Sequence, residues 1–223
     1  MKAGLIIVFQ LLMLAVALPT FAASPYSVKA TAAVSWLASN QNIDGSWGKN
    51  DNLKLVYTAE AVRALRAMNQ LIPSYYWGVT WLENHSAPNV DYKSRRILAL
   101  ASHKDNVIAD LSYLQFAQAL SQHGNKGWGL SRYYQGSTID SALAIMAYTQ
   151  LGSTFNVQAG VDYLRSAQLT GTDKGWAVAQ ESVSDPITTA LVIQALVGFS
   201  GVDTYVVNGV VLPRTAFHNR ILT

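Results

Sequence analysis

The chain has 223 residues, half of them apolar and only 13% charged, with a formal net charge of +3. So small a charge excess, with no basic run beyond Lys93-Ser94-Arg95-Arg96, leaves no footprint for nucleic acid. The absence of cysteine excludes disulfides, thiolate nucleophiles, thioester chemistry and any zinc site with a Cys ligand, so core packing must hold the fold.

The first residues read as a targeting segment. Met1-Lys2 gives a positive start, Leu5 to Leu18 is apolar except for Gln10, and Pro19-Thr20-Phe21-Ala22-Ala23 supplies small residues suited to cleavage. The apolar run falls short of the roughly 20 residues that span a bilayer. Residues 1–23 are therefore expected to be a secretory signal, residues 24–200 a folded domain, and residues 201–223 a connector or the start of a downstream region. The expected location is secreted or at the cell surface, with no membrane span once the signal is removed.

Four copies of a helix–loop–helix unit follow. In the first, Ala32 to Leu37 leads into the loop Gln41-Asn42-Ile43-Asp44-Gly45-Ser46-Trp47-Gly48, and a second helical pattern runs from Tyr57 to Leu65. In the second, Val79 to Asn84 and Val90 to Leu100 flank a loop with no Gly-x-Trp element. The third runs from Leu111-Ser112-Tyr113-Leu114 through Gln118 and Gly127-Trp128-Gly129 to Thr138–Ile145. The fourth runs from Val161 to Gln168 through Gly175-Trp176 to a helix opened by Ser184 or Asp185 as N-cap and Pro186 at the first helical position. Aromatic-Leu pairs begin at 36, 81, 113 and 163, a spacing that fits helix-pair repeats. Ala61, Leu65 and Met68 share a helical face, as do Leu143, Ala147 and Leu151. Gly152 and Gly198 suit helix ends. Second helices such as Ile187 to Leu196 are apolar nearly all round, which suits an inner ring. First helices such as Val161 to Gln168 mix apolar and polar residues and suit an outer one. The loop tryptophans are expected to close the end of each pair, with Gln41, Gln118 and Gln168 as acceptors or caps for the next helix end. A short β-hairpin is possible at 204–212 around Asn208-Gly209.

An aromatic-Leu helix end, a Gln and then Gly-x-Trp, as in Trp36 to Gly48, Tyr113 to Gly129 and Tyr163 to Trp176, resembles the repeats of terpenoid cyclases (squalene cyclase-type Gln-Trp repeats) and protein prenyltransferase β-subunits. The resemblance covers most of Val28 to Ser200. It implies an all-α fold, an α/α toroid of inner and outer helical rings. About four helix pairs make a partial or small toroid. It also marks Gln41, Asp44, Gly45, Trp47, Gln118, Gly127, Trp128, Gln168, Gly175 and Trp176 as structural repeat residues. The family's catalytic signatures are missing: there is no Asp-x-Asp-Asp cluster, no Asp-Asp-x-x-Asp motif, and no Cys for the prenyltransferase zinc site. No catalytic residue, metal ligand or cofactor is assigned.

Glu60, Asp91, Asp140 and Asp185 fall near the starts of second helices. They read either as helix N-terminal charges, each favourable by about 0.3–1 kcal/mol, or as a carboxylate rim to a central cavity for a cation or a sugar. His85, His103, His123 and His218 show no ligand spacing and are expected in loops or on the surface. Arg95-Arg96 reads as a solvated helix face or a phosphate contact. Tyr75-Tyr76-Trp77 and Tyr133-Tyr134 read as interhelical packing or as sugar-stacking platforms. Asn84-His85-Ser86 matches a glycosylation sequon.

The function expected from all this is an exported structural or recognition module, the N-terminal part of a larger bacterial surface or secreted protein. Its partners would be other domains of that chain or a surface glycan. The rival is an enzyme, a lyase or hydrolase acting on a polysaccharide or one acting on an isoprenoid, and a convergent acid pair in an open cleft would favour it.

Overall fold

A computed structural model describes the backbone of residues 25–119, 126–153, 157–170, 172–178, 183–199, 204–207 and 210–213. The expected signal segment, His123 and His218 lie outside the described residues. The helices are α1 (Pro25–Ser39), α2 (Lys54–Ala67), α3 (Pro73–Asn84), α4 (Val90–Ala99), α5 (Ile108–Ala119), α6 (Thr138–Gln150), α7 (Val157–Ser166) and α8 (Pro186–Gly198), with one 3-10 turn, Lys104–Val107, before α5. The fold is all-α. Two short antiparallel strands follow, β1 (Thr204–Val207) and β2 (Val210–Pro213), with Val207 opposite Val210.

The helices form two layers. The even-numbered helices pack in sequence, α2 on α4, α4 on α6 and α6 on α8, while α3, α5 and α7 pack on the outside of α2, α4 and α6 respectively. The sequence accounts for this division. In α6, Asp140, Ser141, Ala142, Leu143, Ala144, Ile145, Ala147 and Tyr148 are all buried, as an apolar helix with neighbours on both sides should be. In α7 only Val157, Gly160, Val161 and Leu164 are buried, a single stripe facing inward.

Helix starts carry side-chain caps where the chain supplies them. Asn89, Ser137 and Asp185 each accept from the backbone N–H three residues on, at Tyr92, Asp140 and Thr188. Asp185, rather than Ser184, is thus the cap of α8, and Pro186 follows at the first helical position. Gly152, at φ +70°, ends α6 in the left-handed region. These matching caps set the register between units: Lys93, Ser141 and Thr189 occupy one position, and Arg96, Ala144 and Val192 another.

Two expectations change. Met68 shares the face of Ala61 and Leu65 by periodicity, yet it caps α2 and is exposed. α8 is apolar nearly all round but not buried all round: Ile187 and Ala190 are exposed, because α8 ends the described inner row and has no inner neighbour beyond it.

Candidate functional site

The loop tryptophans make the same set of bonds in three units. The indole N–H of Trp47 donates to the Leu37 carbonyl (2.8 Å), that of Trp128 to Leu114 (2.7 Å) and that of Trp176 to Leu164 (2.7 Å). Each acceptor is the Leu of the aromatic-Leu pair, a carbonyl toward the C-terminal end of the outer helix. The backbone N–H of each tryptophan donates to a hydroxyl on the inner helix: Thr58 (3.0 Å), Ser141 (2.9 Å) and Thr189 (3.0 Å). One residue therefore ties both helices of its pair together, while its ring is buried.

The glutamines act differently from expectation. Each donates from Nε2 to the carbonyl two residues before the tryptophan, at Gly45, Lys126 and Lys174 (2.8, 2.7 and 2.7 Å). As donors they brace the loop, and Gln41 also donates to the Ser74 carbonyl in the first turn of α3. Asp44 accepts from the Ser46 N–H and hydroxyl, and these bonds hold its carboxyl below the usual range. Asp173 plays the same part in the fourth unit, accepting from Gly175 and Ser184, which likewise lowers its pKa. Sequence reasoning missed Asp173, although it stands three residues before Trp176 as Asp44 does before Trp47. Gly45 sits at φ +89° with the Trp77 carbonyl 2.7 Å from where a Cβ would be, so a side chain there is excluded twice over. Around Gly127 and Gly175, a Cβ would meet the Tyr163 ring and Ser184, both at 2.5 Å.

A further element of the clasp lies on the next outer helix. A Cβ at Gly78 would stand 2.6 Å from the Trp47 ring, and one at Gly160 only 2.4 Å from the Trp128 ring. Both glycines precede their aromatic-Leu pair by three residues. In α5 that position is Asp110, and it faces the one unit without a loop tryptophan. There Arg96 takes over. Its Nε donates to the Leu82 carbonyl (2.7 Å), the acceptor equivalent to Leu37, Leu114 and Leu164. Its Nη1 pairs with Asp110, and Lys93 Nζ reaches the other oxygen of that carboxylate at 3.0 Å. Asp110 and Arg96 are 3% and 8% exposed. Two cations share this one carboxylate: Lys93 Nζ also lies over the Tyr113 ring, 4.8 Å from its centroid, and Arg96 also donates to the Leu82 and Glu83 carbonyls at the negative end of α3. Arg96 is therefore neither a solvated face nor a phosphate contact.

The four expected rim carboxylates separate into three situations. Asp185 caps its own helix, and the Thr188 N–H holds its pKa low. Glu60 sits a turn deeper into α2 than its fellows do in their helices. It is bound by Arg63 (2.8 Å) and by Arg95 (2.6 Å), and Arg95 also binds Asp91. Arg95 thus joins α2 to α4 and is not free for an anion; its charge is raised in pKa by Asp91 and Glu60 against the effect of burial. Asp140 is 7% exposed, and burial raises its pKa to about 6, helped by the charge of Asp91 and opposed by the Ser137 hydroxyl at 2.6 Å and by Arg95. It lies near Tyr163, whose pKa rises to about 12 through burial and the Asp140 charge. The structure therefore brings Glu60, Asp91 and Asp140 along one edge of the inner row and leaves Asp185 outside the group.

Among the described residues no group of three or more His, Asp or Glu side chains is arranged to hold a metal ion, and no helix is long and apolar enough to cross a membrane. His85 stacks on Trp81 with centroids 3.8 Å apart, and His103 lies 3.2 Å from Glu83. Tyr75 is buried, whereas Tyr76, Trp77, Tyr133 and Tyr134 are exposed. No protein-family model matches the chain, and no curated protein matches it.

Proposed function

We propose that the chain is an exported structural or recognition module built on a squalene cyclase- or prenyltransferase-like toroid repeat, forming the N-terminal part of a larger surface or secreted protein. The observation that carries this reading is the Arg95 clamp. Catalytic carboxylates need freedom to bind water, substrate or a proton, and Glu60 and Asp91 are committed to one arginine that joins neighbouring helices. Asp185 is committed to its own cap. The clasp geometry supports the resemblance, since the motif residues hold helix pairs together and leave recognition to exposed side chains such as Tyr76, Trp77, Tyr133 and Tyr134. The partners that suit such a surface are neighbouring domains or a glycan.

The second reading, an enzyme acting on a polysaccharide or an isoprenoid, draws on Asp140, a carboxylic acid held near pKa 6 by burial and thus suited to proton donation near neutral pH. One experiment separates the two. The chain and its Asp140→Asn variant are incubated with polysaccharide and polyprenyl substrates and followed by reducing-end and product assays. The module reading expects no turnover above buffer from either. Turnover that disappears in Asp140→Asn while melting is preserved would replace it with the enzyme.

A further inference from the structure

Each unit docks aromatic or apolar side chains onto the unit before it, and the internal copies of that contact define its two halves. On the forward half, the Tyr92 hydroxyl of the second unit donates to the Asn52 carbonyl of the first (2.5 Å). The Tyr163 hydroxyl of the fourth donates to the Gly136 carbonyl of the third (2.7 Å). Trp81, at the first position of its aromatic-Leu pair, is 8% exposed. Tyr113 and Tyr163, at the same position, are half-buried. In the first unit the equivalents are open: Trp36, matching Trp81, Tyr113 and Tyr163, is 63% exposed, and Tyr57, matching Tyr92, is 44% exposed. Together with Leu37, Ala61 and Ala64 they line a groove of about 510 Å³ between α1 and α2.

On the receiving half, Ala59, Ser94 and Ala142 share one position on α2, α4 and α6 and are fully buried. Their equivalent on α8, Ala190, is exposed. Ile187 is 71% exposed where Val56, Asp91 and Ile139 are half-buried. α8 has its preceding neighbour in α6, so what it lacks is the next one. α2 has its next neighbours in α3 and α4, so what the α1–α2 end lacks is the preceding one. Among the described residues α2 and α8 are not a packed pair, and the inner row does not close on itself.

We infer that the groove at Trp36 and Tyr57 is an interface for the α8 face of a second copy of this chain, so that copies join head to tail by repeating the contact already made inside each one. Such an interface is heterologous: it uses two different patches and generates a ring or a filament. This goes beyond the module reading and does not depend on it. Continuity supplies the complementarity, because the two open faces are the two sides of a joint that α2–α4, α4–α6 and α6–α8 form in series.

The test is sedimentation velocity on the purified chain over a range of concentrations, with Trp36→Glu and Ala190→Glu as single variants. Both sites are exposed, and circular dichroism melting verifies that each variant remains folded. The wild-type chain is expected to associate with increasing concentration, and each variant to weaken association at least tenfold. Mixing the two variants is the decisive step. Each keeps one intact end, so they should form a one-to-one dimer that grows no further. A monomeric wild type, association unaffected by either variant, or no mixed dimer would each overturn the inference. In the first case the faces are open or covered by another segment of the chain. In the last the contact is not head to tail.

Discussion

Units one, three and four close their helix pairs with a tryptophan, and unit two closes the same joint with an ion cluster. The bonds correspond closely. Where Trp47, Trp128 and Trp176 donate an indole N–H to an outer-helix Leu carbonyl, Arg96 donates Nε to Leu82. Where Gly78 and Gly160 make room for an indole, Asp110 fills the space with a carboxylate. Where Ser141 and Thr189 accept the tryptophan N–H, Lys93 binds that carboxylate. The joint thus places a side-chain donor at one carbonyl and fills the volume beside it, with either an aromatic or a salt-bridged solution. The difference shows why one loop can be short: the second unit runs from Asn84 to Val90 without a clasp because its inner helix carries the clasp instead.

The largest effect is expected at a tryptophan joint. Trp128→Ala removes a ring that is fully buried and its indole bond to the Leu114 carbonyl, so it should cost roughly 3–5 kcal/mol, read from denaturant midpoints. On the inner row, Asp140→Asn should act in the opposite direction. Burial raises the Asp140 pKa from the ordinary aspartate value of 3.8 to about 6, so the folded state holds its proton more tightly than the unfolded one. Stability contributed by this group is therefore full below about pH 4 and falls as pH rises to about 6, by on the order of 2–3 kcal/mol at neutral pH. The Asn variant should melt higher than wild type at pH 7 and equally at pH 4. Gly160→Ala presses a methyl against the Trp128 ring, and roughly 1–3 kcal/mol of destabilisation is expected. Glu60→Gln should change stability least, by less than about 1 kcal/mol, since its side chain is 42% exposed.

The repeat and the helical class were legible because the clasp residues are large, rare or conformationally special. Trp47, Trp128 and Trp176 stand out in any reading, and Gly-x-Trp after a Gln is hard to miss. The inner-row assignment followed from composition alone, since α6 carries few polar groups and Ser141 and Asp140 are spent on local bonds. What escaped was reciprocal substitution. Asp110 and Arg96 look like surface charges in a linear sequence, because fourteen positions separate them and nothing local says that each points inward. The signal was present: Gly78, Asp110 and Gly160 occupy one place three residues before an aromatic-Leu pair, and the exceptional member faces the unit with the exceptional loop. The carboxylates were located on the right helices, but their state depended on Arg63 and Arg95, whose reach across helices no periodicity shows.

The equivalence of the ion cluster and the tryptophan clasp is tested by a double-mutant cycle on Arg96→Met and Asp110→Asn, measured by chemical denaturation. Asp110→Asn should cost roughly 3–5 kcal/mol, because it leaves Arg96 and Lys93 without their carboxylate, and Arg96→Met should cost less, because Asp110 keeps Lys93. If Arg96 and Asp110 together replace the tryptophan clasp, the double variant should cost less than the sum by more than about 1.5 kcal/mol. Additivity to within about 0.5 kcal/mol would mean that the two side chains do not act as one joint, and would contradict the equivalence between the second unit and the other three.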